Sequence, residues 1–328
     1  MSNATPAAAS CWDGGVVEQT VADLGEFGLI AELTKRFPQG EQVLVGPGDD
    51  AALLRIRNGH VVVSTDLLVE GRHFRREWAS AADVGHRAAA QNLSDINAMG
   101  GRAHSLTIGL AAPADLPVAW ALGFAEGFAE ECSLVGASVV GGDVTRSSEI
   151  VVSVTVLGSV TQAPVLRSGA RPGDVLALAG RQGWAAAGLA VLGRGFRSPR
   201  AVVAAYQRPE PPYDAGPAAA AAGATAMVDV SDGLLAEAGH LAAASGVAID
   251  VAASSLEIPE PFEAVAAALN ADPVSFALTG GDDHALLATF PSAAALPDGW
   301  RVIGQVAEGT GVTVDGESYD GPSGWTHF

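Results

Sequence analysis

The sequence predicts an α/β protein of two domains, and three observations support this. The chain has 328 residues, enough for two domains that each bury a core. Apolar strand-like runs alternate with segments whose apolar residues recur at helical spacing, as in layered α/β folds. Residues 161–171 lack periodicity and contain Pro164 and Gly169, so we place the domain boundary there. We expect a disordered tail over 1–20, an N-terminal domain over 21–160 and a C-terminal α/β sandwich over 161–328.

The N-terminal domain is expected to begin with a helix and a β-hairpin. Apolar residues repeat at spacings of three and four from Phe27 to Phe37, which predicts a helix from Glu26 that Pro38 ends. A short strand follows over 43–45. Strands over 53–57 and 60–64 flank Asn58-Gly59, the strongest short hairpin signal. We expect the second strand to end at Ser64, Thr65 and Asp66.

The rest of this domain alternates helix and strand. Asp83 can cap a helix that ends before Gly100-Gly101, and within it Asn92 and Asp95 share a face. A strand over 104–110 and a helix over 115–135 follow. The alternation of Val with Ser, Thr and Gly over 150–160 is typical of a strand.

The C-terminal domain is expected to contain strands over 174–179, 226–229, 247–251, 284–290 and 301–306, with helices between them. Residues 184–192 and an Ala-rich segment after Tyr213 predict two helices, and the prolines of 208–213 make a rigid connection. The strand over 226–229 turns directly into a helix ending near Ala244, with Ser231 as a plausible N-cap. Such a turn aims helix amides at one point, which suits an anion.

Composition narrows the function classes. Hydrophobic residues make up 48% and charged residues 17%, which is typical of a globular protein. The net charge of −19 argues against nucleic acid, although metal ions can let an acidic chain bind a polyphosphate. Cys11 and Cys132 lie far apart, so we expect neither a disulfide framework nor a zinc site. No long apolar run or signal peptide is evident, so we expect no membrane contact and a cytoplasmic protein.

Aspartates beside Gly or Ser recur along the chain, mostly where an apolar segment ends or is interrupted. They occur in Gly48-Asp49-Asp50, Ser64-Thr65-Asp66, Leu93-Ser94-Asp95, Gly141-Gly142-Asp143, Asp229-Val230-Ser231-Asp232 and Gly280-Gly281-Asp282-Asp283. Neighbouring side chains diverge, so Asp49 and Asp50 cannot face one point. One could bind a cation while the other accepts from backbone amides.

These motifs, with Gly71-x-His73-Phe74, Arg167-Ser168-Gly169-Ala170-x-Pro172-Gly173-Asp174 and Asn92-Leu93-Ser94-Asp95-x-x-Ala98-Met99-Gly100, resemble the thiamine-monophosphate kinase family in content and order. The match runs from about residue 25 to the C-terminus. The resemblance implies transfer of the ATP γ-phosphate to thiamine monophosphate. It also implies a homodimer in which the N-terminal strands form a barrel across the two-fold axis.

Residue roles carried over from the family fall into three groups. The resemblance implies a site for several Mg²⁺ ions formed by Asp50, Ser64, Thr65, Asp66, Asp95, Asp143, Asp229 and Asp232, with Thr65 acting partly through its hydroxyl or backbone oxygen. It implies ATP contacts at Gly142, Arg167 and Ser231. It implies thiamine-monophosphate contacts at His73, Asp282 and Trp325.

Two positions depart from the family pattern. The usual Gly-Gly-Glu-Asp-Tyr-Glu is Gly-Gly-Asp-Asp-His-Ala here, so Asp282 is one methylene shorter than the usual Glu. Trp325 stands where an aromatic residue, often Tyr, is expected, so stacking on a heteroaromatic ring is preserved.

The chemistry of the residues agrees with such a kinase. The attacking oxygen of a phosphate acceptor is already largely ionised at pH 7, so no catalytic base is assigned. Catalysis would come from in-line positioning and from cations that neutralise the transferring group. No Gly-x-x-x-x-Gly-Lys-Ser/Thr occurs, so the chain is not a P-loop kinase.

The sequence also bears on other functions. Selenophosphate synthetase needs a reactive Cys with a nearby Lys, and the hydrogenase maturation enzyme needs a C-terminal Cys; this sequence has neither. An aminoimidazole ribonucleotide synthetase-like enzyme stays the enzymatic alternative. A non-catalytic sensor of thiamine phosphates or ATP is the alternative from another class. A calcium-stabilised structural protein lacks support, since no EF-hand loop occurs.

Overall fold

A computed structural model describes residues 43–45, 49, 52–56 and 59–326. The predicted tail, the helix from Glu26, Cys11 and Asp50 lie outside the described residues.

The first sheet has six strands in the described part of the chain. They are β1 (Val43–Val45), β2 (Ala52–Ile56), β3 (Gly59–Val69), β4 (Arg102–Ala112), β5 (Ser138–Arg146) and β6 (Val151–Ser159). Their order is β1-β2-β3-β6-β4-β5. Neighbouring strands are antiparallel except β4 and β5, so the sheet is mixed.

Two long helices pack against this sheet, α1 (Ala81–Ala98) and α2 (Val118–Val135). The N-cap of α1 is Ser80 and not Asp83. Asp83 is its partner in a capping box, in which each side chain bonds to the other residue's backbone amide. Every second residue of β6, from Val152 to Val156, is fully buried, as expected for a strand with one covered face.

The second sheet consists of β7 (Val175–Ala179), β8 (Ala226–Val230), β9 (Ala248–Val251), β10 (Ala285–Phe290), β11 (Trp300–Ala307) and β12 (Gly311–Val314). Their order is β12-β9-β11-β7-β10-β8. Every residue of β8 and β10 is buried, so both faces of the sheet are covered. This confirms the predicted α/β class.

Six further helices lie in this half: α3 (Trp184–Gly193), α4 (Arg200–Gln207), α5 (Ala215–Ala221), α6 (Leu234–Ser245), α7 (Glu260–Leu269) and α8 (Pro273–Thr279). Short 3₁₀ turns lie at Ala253–Ser255 and Ala293–Ala295. Sequence reasoning did not predict α4. None of the described helices is long and apolar enough to cross a membrane.

Helix α1 contacts both halves of the molecule. Ala98 at its end belongs to the apolar cluster formed by one face of the second sheet. The Asn97 side chain donates to the Pro212 carbonyl at 3.0 Å and accepts from the Gly216 amide at 3.1 Å. Groups projecting from α1 can therefore meet groups from the C-terminal half.

A buried charged network reinforces this contact. The Glu131 carboxylate of α2 accepts from the Tyr213 hydroxyl, and its Oε2 lies 2.9 Å from His86 Nδ1 of α1. His86 Nε2 lies 2.9 Å from the Pro209 carbonyl. Both ring nitrogens face oxygen acceptors, so the site favours the imidazolium. Burial alone would lower the pKa of His86, but Glu131 and the Pro209 carbonyl raise it above its ordinary value.

Strand β3 is longer than predicted. It continues through Ser64, Thr65 and Asp66 and pairs with β6 as far as Val69 opposite Val151. The expectation that these three residues end the strand was wrong, because ladder hydrogen bonds come from the backbone and tolerate polar side chains. The three residues lie in mid-strand, and their side chains alternate between the two faces.

Candidate active site

Strand β3 and helix α1 bring two predicted ligands together. The Ser64 hydroxyl donates to Asp95 Oδ2 at 2.6 Å, which fixes the carboxylate of α1 against the strand. Asp66 has the same parity as Ser64, so both belong to the helix-covered side of the sheet, with the fully buried Val62 and Leu68. The prediction that Asp95 projects from a helix is confirmed.

Thr65 faces the other way. Its hydroxyl lies 2.8 Å from the Thr155 hydroxyl on the opposite face of the sheet. The Thr65 hydroxyl therefore lies on the face of the sheet opposite to Ser64 and Asp95.

In the Gly-Asp-Asp motif, the Asp49 carboxylate is the one that accepts from a backbone amide, and Asp50 lies outside the described residues. Asp49 Oδ1 accepts from the Arg167 backbone amide at 2.7 Å, so Asp49 caps an amide and ties the first motif to the predicted ATP-binding loop. Burial raises the pKa of Asp49, while the Arg167 amide and charge oppose that rise.

Gly142 and Asp143 lie on β5, an edge strand whose residues are all exposed. The strand runs through the Gly-Gly-Asp motif to Arg146 and pairs in parallel with β4. A side chain at Gly142 would overlap the Ile108 carbonyl of β4, so close strand approach explains this glycine.

The two C-terminal Asp motifs meet. The Asp282 amide donates to the Ser231 carbonyl at 2.9 Å, and a side chain at Gly281 would overlap that same carbonyl. Asp229 Oδ2 lies 3.0 Å from His284 Nδ1, and both side chains are buried. The turn over 229–233 and the turn over 280–284 thus form one surface.

Trp325 lies against the same turn. Its amide donates to the Asp232 carbonyl at 2.8 Å, while its side chain is 55% exposed. The backbone anchors the residue and leaves the indole ring open to a ligand.

The expectation for Ser231 was wrong, and the structure shows one partner of His73. Ser231 is not the N-cap of α6; that position is Gly233, and the Ser231 hydroxyl lies 3.4 Å from Glu237 Oε1. His73 lies in the turn after β3, where its Nδ1 accepts from the Val69 amide at 2.9 Å. That bond leaves Nε2 as the ring donor in the neutral form.

Sequence reasoning missed the role of Asp283. Its side chain is buried and Oδ1 accepts from the Ala185 amide at 3.0 Å, so it caps the N-terminus of α3. Burial raises the pKa of Asp283 to about 7, and the neighbouring Asp282 adds to the rise. The second Asp of Gly-Gly-Asp-Asp thus holds the turn in place.

Sequence reasoning also missed Arg87. This α1 residue is 5% exposed, and its guanidinium lies 2.5 Å from Asp282 Oδ2. Arg87 is the only Arg or Lys of α1, and this was its only sequence signal.

The described residues thus form two groups of predicted ligands. One joins Ser64 to Asp95, and the other joins the turns over 229–233 and 280–284 to Trp325. In the part of the chain that the structure describes, no three His, Cys, Asp or Glu side chains lie close enough to hold a metal ion.

Both halves of the chain match family models. Residues 48–160 match the N-terminal domain of AIR synthase related proteins, and residues 171–317 match their C-terminal domain. A thiamine-monophosphate kinase of Mycobacterium tuberculosis is 47% identical over 312 residues, which cover 94% of this chain and 93% of that protein. This chain belongs to the thiamine-monophosphate kinase family. The resemblance seen in the sequence motifs is confirmed.

Other thiamine-monophosphate kinases agree. That of Corynebacterium glutamicum is 39% identical, with 94% of this chain and 95% of that protein covered. A solved structure of AaThiL complexed with AMPPCP and TMP superposes with a TM-score of 0.88 at 34% identity, covering 95% of this chain and 100% of that chain. A crystal structure of thiamine monophosphate kinase from Aquifex aeolicus gives a TM-score of 0.82 at 32% identity, covering 92% of this chain and 100% of that chain.

Proposed function

We propose that this protein transfers the γ-phosphate of ATP to the phosphate of thiamine monophosphate and so forms thiamine diphosphate. One observation carries this proposal: the chain superposes over nearly its whole length on AaThiL complexed with AMPPCP and TMP. AMPPCP is an ATP analogue, so that relative binds a nucleotide together with the acceptor. Full-length relatives named for this reaction support the same activity.

The acceptor is proposed to bind where the two C-terminal turns meet Trp325. The exposed indole can stack on a heteroaromatic ring, and the half-exposed Asp282 carboxylate can accept from a donor or pair with a cation. His73 supplies a further ring donor through Nε2. Gly142, Arg167 and Ser231 are proposed to contact ATP.

The donor set fits magnesium. Carboxylate and hydroxyl oxygens are the hard ligands that Mg²⁺ prefers, and it commonly takes one or two protein carboxylates with water and substrate phosphates. The Ser64–Asp95 pair places two such oxygens 2.6 Å apart. Asp66, Asp143, Asp229 and Asp232 are proposed as ligands of separate ions, because no three such side chains of the described residues lie close enough to share one ion. Asp50 is proposed from the motif alone. Bound Mg²⁺ would neutralise charge on the phosphates.

The protein's own residues then have a limited task. Two phosphate groups repel, since unit charges 4 Å apart cost about 4 kcal/mol at an effective dielectric constant of 20. The site must hold them in line, and the acceptor oxygen needs no base. Positioning is therefore the main contribution of this chain.

The assembly is also proposed. We infer a homodimer through the N-terminal half, divided from the C-terminal half near residues 161–171, in a cytoplasmic enzyme. Edge strand β5 exposes Val139, Val140 and Val144, and β3 exposes Leu67, which is an apolar surface that a second copy could cover. Sedimentation that finds an active monomer at micromolar concentration would refute the dimer.

The decisive experiment is a turnover assay. The protein is incubated with ATP, Mg²⁺ and thiamine monophosphate, and thiamine diphosphate and ADP are quantified by chromatography. Equal amounts of both products are expected, with no thiamine diphosphate when Mg²⁺ is chelated. ADP formation without thiamine diphosphate would refute the proposed acceptor, and binding of both ligands without any turnover would indicate a sensor.

A further inference from the structure

We propose that Arg87 is a positioning residue that fixes the Asp282 carboxylate for contact with the acceptor substrate. This inference rests on the proposed function, in which Asp282 contacts thiamine monophosphate. Arg87 belongs to none of the aspartate, glycine or serine motifs of the sequence, and it reaches Asp282 from the other half of the molecule.

Three contacts fix the guanidinium of Arg87. Its Nη1 donates to the Tyr206 carbonyl at 2.7 Å, and its Nη2 lies 2.5 Å from Asp282 Oδ2. The central carbon of the guanidinium lies 4.7 Å from the centroid of the Tyr206 ring, within cation–π range. Because the planar guanidinium is buried and held by three contacts, it has one fixed orientation, unlike a flexible cation on the surface.

Asp282 lies at the other end of this contact in an unusual conformation. Its φ is 68°, in the left-handed region that residues other than glycine rarely adopt. The Ser231 carbonyl holds its amide at 2.9 Å, while the side chain is 43% exposed. The backbone is thus held by one motif and the carboxylate by Arg87, with part of the carboxylate open to solvent.

The arrangement suits a short acidic side chain. Because Arg87 binds Oδ2 of Asp282, Oδ1 is the oxygen that contacts the substrate. The contact also fixes the plane of the carboxylate before the substrate binds. Arg87 also offsets the negative charge of Asp282 beside the buried Asp283. Substrate orientation by Asp282 therefore depends on a residue that does not contact the substrate.

The test is a double-mutant cycle on the full-length protein. Arg87→Met, Asp282→Asn and the double variant are compared for kcat, for the KM of each substrate and for melting temperature. Arg87→Lys keeps the buried charge without the planar fork, so it provides a second variant if Arg87→Met does not fold. Arg208→Met is the matched control, since Arg208 pairs with Asp83 of the same helix at 2.6 Å but lies outside the proposed site.

The two single variants are expected to raise the KM for thiamine monophosphate about 10- to 100-fold, because losing a hydrogen bond to a charged group typically weakens binding by a factor of this size. The KM for ATP is expected to stay within about twofold of wild type. The double variant is expected to match the worse single one, and Arg87→Lys to fall in between. Arg208→Met should leave both KM values unchanged.

Two other sets of results would separate failure of the positioning role from failure of the proposed function. Arg87 variants that lose melting temperature but keep the wild-type KM for thiamine monophosphate, or effects that multiply in the double variant, refute the positioning role while the proposed function stands. A wild-type protein that forms no thiamine diphosphate refutes the proposed function, and this inference with it.

Discussion

The crossing of α1 and α2 depends on two glycines, and Gly127 offers a quantitative test. A side chain built at Gly127 would place its Cβ 1.9 Å from the Ala82 carbonyl of α1. That distance is about 1.5 Å short of the 3.4 Å at which ordinary contact begins. Gly85 of α1 meets the Phe124 carbonyl of α2 in the same way, so the two helix backbones are in direct contact.

Gly127→Ala must therefore separate the helices. Overpacking typically costs about 1–3 kcal/mol and sometimes more, while Ala in place of a helical Gly returns about 0.5–1 kcal/mol. The clash is with backbone and not with a flexible side chain, so the cost should lie at the upper end, and we expect a net loss of about 2 kcal/mol in the free energy of unfolding. Because α1 also carries Arg87 and Asp95, the displaced helix should lower turnover in the protein that stays folded.

The matched control is Gly239→Ala in α6. A Cβ at Gly239 meets nothing within 4 Å, so the helix-propensity gain stands alone and stability should rise by about 0.5–1 kcal/mol. Urea unfolding followed by circular dichroism measures both variants, and equal slopes of free energy against urea indicate comparable denatured states. Gly127→Ala with wild-type stability and turnover would refute the close-packing argument.

Three further predictions concern single side chains. Asp95→Asn can still accept from Ser64, so its melting temperature should stay near wild type while Mg²⁺-dependent kcat falls about 100-fold; a destabilised but fully active variant contradicts its role in the metal site. Trp325→Ala should raise the KM for thiamine monophosphate several-fold with the KM for ATP unchanged, and steady-state kinetics would contradict stacking if both KM values stayed at wild type. The pKa of His86 is raised in the folded protein, so the stability that its imidazolium contributes is complete below about pH 6.5 and is lost as the pH rises through the pKa of the folded state. His86→Gln should therefore reduce the loss of unfolding free energy with rising pH, measured by urea titrations at several pH values. An unchanged dependence of stability on pH would contradict the imidazolium.

The sequence by itself determined the fold class and most elements, because these depend on local signals. A capping residue and Gly100-Gly101 bounded α1, and Asn58-Gly59 predicted the antiparallel pairing of β2 with β3. The order of the Asp motifs along the chain was specific enough to indicate the family without the structure. Strand ends were less certain, as β3 showed, since a polar side chain does not interrupt a backbone ladder.

Only the tertiary structure decided which of these groups act together. The sequence separation of Arg87 and Asp282 is nearly two hundred residues, and no local pattern links an arginine of α1 to a distant turn. The same holds for Asp49, whose carboxylate caps the Arg167 amide, and for Asp283, whose carboxylate caps α3. Asp282 and Asp283 look alike in sequence, and their roles diverge because folding buries the Asp283 carboxylate against the Ala185 amide and leaves the Asp282 carboxylate partly exposed.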